Sequence, residues 1–258
     1  MITSRKNPKI QQMRLLLTKK AERNRQGLCV AEGTRLLEEA LQCHWKPIFG
    51  FFSQTLDTRS EKLLHQCLNA GAEMEEVPPD LLQYVADTKN PQGLITVFEI
   101  NPIPIPATPT FVLVLDALRD PGNMGTILRS AAAAGVDLVF LTSDCVDPFS
   151  PKVLRSGMGA QFRLPIQSQE IQDVLVYSDQ HKLTIFIADS NTNQSCWQED
   201  LSQPLALVIG NEANGPSQIF HTSQAKPIKI PMPGGFESLN AAVAAGILMF
   251  EIVHQRIQ

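Results

Sequence analysis

Apolar positions recur along this chain at two periods. From Pro8 to Arg25, Ile10, Met13, Leu16 and Leu17 fall at helical spacing with basic residues between them, which predicts one helix. A strand over 27–30 and a helix over 35–42 follow, and short strands and helices then alternate as far as Gly93-Leu-Ile-Thr-Val-Phe98. Beyond residue 110 the alternation is plainer. Strands are predicted at 111–115, 138–142, 162–166, 184–188, 205–209 and 228–231. Helices are predicted at 122–134, with a stop at Gly135, and at 151–157, 169–177 and 239–255. Short apolar strands separated by helices imply a mostly parallel sheet covered on both faces. The last helix is apolar nearly all round from Ala241 to Val253, except at Glu251, and so must be buried in the core or against a second copy of the chain.

The clearest interruption is Asn101-Pro-Ile-Pro-Ile-Pro-Ala-Thr-Pro-Thr110. Its four prolines exclude helix and central strand and favour an extended spacer. The predicted organisation is therefore a small α/β domain over 1–100, a linker over 101–110 and a larger α/β domain over 111–258.

Composition narrows the class. The chain has 258 residues, 43% hydrophobic and 19% charged, as in ordinary globular proteins. No apolar run approaches the roughly 20 residues that span a bilayer, and no signal peptide is evident. Five dispersed cysteines without C-x-x-C spacing point to a reduced compartment, the cytoplasm, and to no zinc cluster. The formal net charge is -4, but the charges are unevenly placed. Residues 1–35 carry Arg5, Lys6, Lys9, Arg14, Lys19, Lys20, Arg23, Arg25 and Arg35 against Glu22 and Glu32. Phosphate attraction acts within a Debye length of roughly 8–10 Å, so such a patch can bind RNA whatever the total charge, while charge alone equally allows a merely solvated helix face. Arg5, Lys6, Lys9, Lys19, Lys20 and Arg23 are the candidate RNA contacts.

Three segments carry the candidate chemistry. Asp116-Ala-Leu-Arg-Asp-Pro-Gly-Asn-Met-Gly-Thr-Ile-Leu-Arg129 leaves the first strand of the second domain. It puts Asn123 at a helix start and embeds Arg129 in an alanine-rich helix, where a guanidinium calls for an anionic or hydrogen-bonding partner. Ala206-Leu-Val-Ile-Gly-Asn-Glu-Ala-Asn-Gly-Pro216 is a strand ending in a glycine-rich turn. Gly210 there permits close approach of a ligand, and Glu212 stands at the carboxyl end of the strand, where open α/β sheets bind ligands. Ile230-Pro-Met-Pro-Gly-Gly-Phe-Glu-Ser-Leu-Asn240 joins a short strand to the last helix, with Ser238 and Asn240 pointing one way and Leu239 the other. No G-x-G-x-x-G, P-loop, G-x-S-x-G or H-E-x-x-H occurs, and none of the five histidines lies in these segments. Metal chemistry and histidine acid–base catalysis are not expected.

Together these residues resemble the SpoU (TrmH-like) family of RNA ribose 2′-O-methyltransferases, within the SPOUT superfamily. DPGNMGTILRSA resembles the first family motif, VIGNEANGPS the second and IPMPGGFESLNAAVAAGI the third. The first 100 residues are similar to the substrate-binding extension of members that act on ribosomal RNA. The resemblance implies an α/β-knot, a C-terminal deep trefoil knot that binds S-adenosylmethionine through backbone near Gly210, Ile230 and Leu239. It also implies a homodimer and a ribose-facing set of Arg129, Asn123, Glu212, Ser238 and Asn240, with 23S-type ribosomal RNA as substrate. The family usually reads Asn-Val-Ser where this chain reads Asn240-Ala-Ala242. The alternatives are the same chemistry on tRNA, or a non-catalytic RNA-binding or ribosome-assembly factor with the same fold; a small-molecule methyltransferase would leave the basic N-terminal segment without a purpose.

Overall fold

The computed structural model describes residues 1–211 and 214–257, and the chain forms two compact units. The first comprises residues 1–101 and 147–162, and the second residues 102–146 and 163–258.

In the first unit, α1 (Pro8–Thr18) and α2 (Lys20–Gln26) precede β1 (Leu28–Glu32) and α3 (Thr34–Gln42). Then come β2 (Pro47–Phe52), α4 (Thr58–Asn69), β3 (Glu73–Glu76), α5 (Pro79–Val85) and β4 (Leu94–Glu99). The sheet order is β1-β4-β2-β3, with β4 antiparallel to both neighbours and β2 parallel to β3. Ile10, Met13, Leu16 and Leu17 are all buried, as their spacing predicts.

The single helix predicted over 8–25 is two helices, because Lys19 is extended (φ -121°, ψ 111°). The break lets α2 turn back: the buried Arg23 guanidinium donates to the carbonyls of Leu16 and Leu17, which a helix end otherwise leaves without partners. The same guanidinium pairs with Asp147 at 2.6 Å. Nearby, the Trp45 indole donates to the Phe162 carbonyl at 3.2 Å and meets the Phe162 ring edge-on. Residues 147–162 thus leave the second unit to complete the core of the first.

In the second unit, β5 (Phe111–Leu115), α6 (Pro121–Ala134) and β6 (Leu138–Leu141) come first. The chain then runs through α7 (Pro151–Ser156) in the first unit and returns with β7 (Ile166–Ser168), α8 (Ile171–Gln180), β8 (Thr184–Ala188) and β9 (Leu205–Ile209). It ends with α9 (Gln218–Thr222), β10 (Lys226–Ile228) and α10 (Ala241–Arg256). The sheet order is β10-β8-β9-β5-β6-β7, and every pairing is parallel. β5 and β9 are buried along their whole length, which explains their unbroken apolar sequences. Asp120 caps α6 by accepting from the Asn123 amide, Pro121 opens the helix, and Gly135 closes it in the left-handed conformation (φ 73°).

Three predicted elements differ. Residues 160–162 form a 3-10 turn, and the strand predicted at 162–166 begins only at Ile166. The strand predicted at 228–231 is β10, which lies earlier, over Lys226–Ile228, with Lys229 continuing as a single parallel bridge to Ser195. The last helix is buried on one side only. Ala242, Ala245, Leu248, Met249 and Ile252 face inward, where α10 packs on α6, while Val243, Ile247 and Phe250 are exposed. Among the described residues, no helix is long and apolar enough to cross a membrane.

Candidate active site

All three motif segments leave the carboxyl ends of strands in the second unit, and side chains stitch them together. Asp116, the first residue past β5, is buried; its carboxylate accepts from the Thr142 hydroxyl at 2.7 Å and from the Ser217 amide at 2.6 Å. The Asn211 side chain donates to the Ala117 carbonyl at 2.8 Å. The Asn240 amide donates to the Asn123 side-chain oxygen at 3.0 Å, so the third segment is tied to the start of α6. The same Asn240 caps α10, its oxygen accepting from the amides of Ala242 at 2.9 Å and Val243 at 3.3 Å. Ala242 is itself buried, and Asn240 already satisfies its amide. The helix start therefore does not need the serine hydroxyl usual at that position.

A cavity of about 890 Å³ opens beside these turns. Its walls include Ala188 and Asp189 at the end of β8, Ile209 to Asn211 at the end of β9, Ile228 to Ile230 at the end of β10, and Ser238 and Leu239 from the loop before α10. Gly210, Ile230 and Leu239, widely separated in sequence, thus border one space. Glycine at 210 has a further cause: a Cβ there would lie 2.1 Å from the Gly215 carbonyl carbon and from the Pro216 nitrogen. The close approach at Gly210 is made by the chain's own turn, closed by a pair of hydrogen bonds between Asn211 and Gly215. The dimensions suit a nucleoside-sized ligand, and peptide groups from three strand ends provide the donors and acceptors an adenosine moiety needs. The cavity residues therefore fit S-adenosylmethionine.

Ser238 lines the cavity, whereas Asn123 and Asn240 meet each other outside its walls. Arg129 lies six residues beyond Asn123, near the middle of α6, with its side chain exposed rather than embedded. The alanines around it reduce crowding without enclosing it. Glu212 lies outside the described residues. Asp116, Thr142 and Asn211 were missed by sequence reasoning. The one signal was an acidic residue directly after an all-apolar strand.

The basic N-terminal residues divide in two. Arg23 is corrected as an RNA contact: it is 4% exposed and spent on Asp147 and two carbonyls. Lys9 sits between Glu73 and Glu75, both at 2.6 Å, and these carboxylates raise its pKa. Arg5, Lys6, Lys19 and Lys20 are exposed. Arg5 and Arg14 both stack on Tyr84, with guanidinium carbons 4.4 and 4.1 Å from the ring centre. Among the described residues, no group of three or more His, Cys, Asp or Glu side chains is placed to hold a metal.

Residues 110–250 match the model of the SpoU rRNA Methylase family. The chain belongs to that family. Residues 7–96 match a second model, the MRM3-like substrate binding domain. Among SpoU relatives, the 23S rRNA (guanosine(2553)-2'-O)-methyltransferase RlmP of Bacillus subtilis is 32% identical, over 97% of this chain and 98% of its own. The AdoMet-bound SpoU methyltransferase AviRb of Streptomyces viridochromogenes superposes with a TM-score of 0.87 at 29% identity, covering 97% of this chain and 99% of that one. An AdoMet-bound rRNA methyltransferase from Sinorhizobium meliloti gives 0.85 at 30% identity, over 97% and 96%.

Proposed function

We infer that this SpoU protein transfers the methyl group of S-adenosylmethionine to a ribose 2′-hydroxyl of ribosomal RNA, most readily of the 23S type. The carrying observation is the bond between Asn240 and Asn123. It sets the segment that borders the cavity against the helix that bears Arg129.

Bound S-adenosylmethionine supplies an electrophilic methyl group. The chain has to hold the ribose hydroxyl in line with it, and alignment of this kind supplies roughly 7–11 kcal/mol in well-oriented systems. In this reading Gly210, Ile230 and Leu239 hold the cofactor through their backbone. Ser238, Asn123 and Asn240 orient the ribose; Glu212, given the same role by the family resemblance, lies outside the described residues. Arg129 donates hydrogen bonds to the target nucleotide, and the hydroxyl proton leaves through water or the nucleotide's own phosphate.

Three finer features belong to the same proposal. The carboxyl-terminal chain forms a trefoil knot, a reading that rests on the resemblance to the SpoU enzymes. The protein works as a homodimer, supported by Val243, Ile247 and Phe250, which place one exposed apolar stripe on α10. Residues 1–100 act as the RNA-binding domain, through Arg5, Lys6, Lys19 and Lys20 together with Arg14 on Tyr84. Stacked arginines beside an aromatic ring suit phosphodiester and base contacts.

The test is methyl transfer from labelled S-adenosylmethionine to unmodified 23S rRNA and, separately, to tRNA, with Arg129→Ala as control. Label in rRNA ribose that is lost in the variant supports the reading. Label in tRNA alone overturns the substrate. Cofactor binding with no label in either RNA points to a non-catalytic RNA-binding factor.

A further inference from the structure

We propose that Asp116 is a positioning residue for methyl transfer: it fixes the wall of the cofactor cavity against the turn that leads into α6. This rests on the methyltransferase reading above.

At the end of β9 the cavity wall includes Ile209, Gly210, Asn211, Asn214, Gly215 and Pro216. It is anchored at both described ends to the two residues that follow β5. At one end, the Asn211 side chain donates to the Ala117 carbonyl at 2.8 Å. At the other, the amide of Ser217, the residue directly after Pro216, donates to the Asp116 carboxylate at 2.6 Å. The other carboxylate oxygen holds the Thr142 hydroxyl at 2.7 Å, and that hydroxyl oxygen accepts the Ala117 amide at 3.0 Å. Ala117 needs this restraint. Its φ is 51°, a left-handed conformation that costs an alanine energy and persists only where its neighbours enforce it. The amide of Asp116 also donates to the Ile209 carbonyl at 2.9 Å, which sets the register of β5 on β9 at the cavity.

A carboxylate that is only 3% exposed is costly to bury, and its natural place in a fold is where several donors converge. Here the donors come from the turns on either side. Three residues beyond Ala117, Asp120 caps α6, the helix that carries Asn123 and Arg129. Movement of the 116–117 turn would therefore shift the cofactor wall and the ribose-facing helix relative to each other. A displacement of about 1 Å in such a constellation costs on the order of a hundredfold in rate.

The experiment compares the full-length wild type with Asp116→Ala and Asp116→Asn. Asparagine keeps the shape and one acceptor oxygen, so it retains the Ser217 or the Thr142 bond as wild type makes it, but not both. Three readouts are taken: S-adenosylmethionine affinity by calorimetry without RNA, steady-state KM for cofactor and for rRNA with kcat, and circular dichroism with thermal melting. Folded Asp116→Ala should bind S-adenosylmethionine at least tenfold more weakly and lose kcat, with KM for rRNA within about twofold of wild type, and Asp116→Asn should lie between. Folded variants with wild-type cofactor affinity and kcat would overturn the proposal. So would Asp116→Asn that melts early yet keeps wild-type kinetics at low temperature, because the residue would then serve stability alone. Wild-type protein that binds cofactor but methylates no RNA defeats the functional reading instead, and calorimetry still decides the role of Asp116.

Discussion

Asn240 and Asn123, 117 residues apart in sequence, meet at 3.0 Å through their side-chain amides. Asn240 at the same time caps the longest helix of the second unit. One residue thus performs a local and a long-range task, and substitutions separate them. Asn240→Ala removes both and should destabilise by about 1 kcal/mol, the usual value of a lost cap. Asn240→Asp keeps an acceptor for the helix amides but has no donor for Asn123. It should melt like wild type and methylate poorly. Equal activity of Asn240→Asp and wild type in a single-turnover assay would show that the link to Asn123 is unimportant.

Arg129 is exposed on α6, so its removal has little structural cost. Arg129→Ala should stay within about 0.5 kcal/mol of wild type, as surface substitutions do. Its methyl transfer should fall by about a hundredfold or more, the scale of one lost transition-state donor. Chemical denaturation and initial rates on rRNA measure the two effects. A proportional loss of both would assign Arg129 a structural role.

The Arg23–Asp147 pair predicts the opposite pattern. Both side chains are almost fully buried, and loss of one partner strands a charge. Arg23→Ala should cost about 3–5 kcal/mol, and joint replacement by apolar residues of similar size should recover most of it. RNA affinity measured on the folded fraction should not change. By contrast, the double change Arg5→Ala and Arg14→Ala should weaken RNA binding and lower the slope of log K against log salt by about two, one unit per phosphate contact.

Gly210→Ala should abolish cofactor binding, because the new methyl group would occupy the place of the Gly215–Pro216 peptide. Displacing that peptide moves the cavity wall. Isothermal titration with S-adenosylmethionine checks this, and retained affinity would mean that the turn relaxes without distorting the site.

The thiols give a pH-dependent prediction. Cys29, Cys67, Cys145 and Cys196 are buried, and burial pushes their pKa values up, that of Cys67 to about 11. The thiolate is the reactive form, so below pH 11 Cys67 is chiefly the unreactive thiol. Only the partly exposed Cys43 should react quickly with a disulfide reagent at pH 8. Unfolding in guanidinium should release all five. More than one fast thiol in the native protein would contradict the packing of the two cores.

The local physics of this protein was legible in its sequence. Unbroken apolar runs at 111–115 and 205–209 announced buried parallel strands, because such strands are covered on both faces. Gly135 announced the end of α6, because a left-handed stop depends on one residue, whereas the start was expected one residue late and its cap, Asp120, was read as part of a turn. The three motif segments, and with them the family, were legible for the same reason: each is a short contiguous string. Partnerships between distant residues were not. Nothing in the spacing of basic residues distinguishes Arg23, which is buried against Asp147, from Arg5, which faces solvent on Tyr84. Nor does anything in residues 147–162 reveal that they complete the first unit, or in Asp116 that it receives the Ser217 amide. Hydrophobic period and capping act over a few residues and are written into the chain. Ion pairs, buried carboxylates and the meeting of Asn123 with Asn240 depend on which strand ends the sheet order brings side by side, and only the tertiary structure decides that.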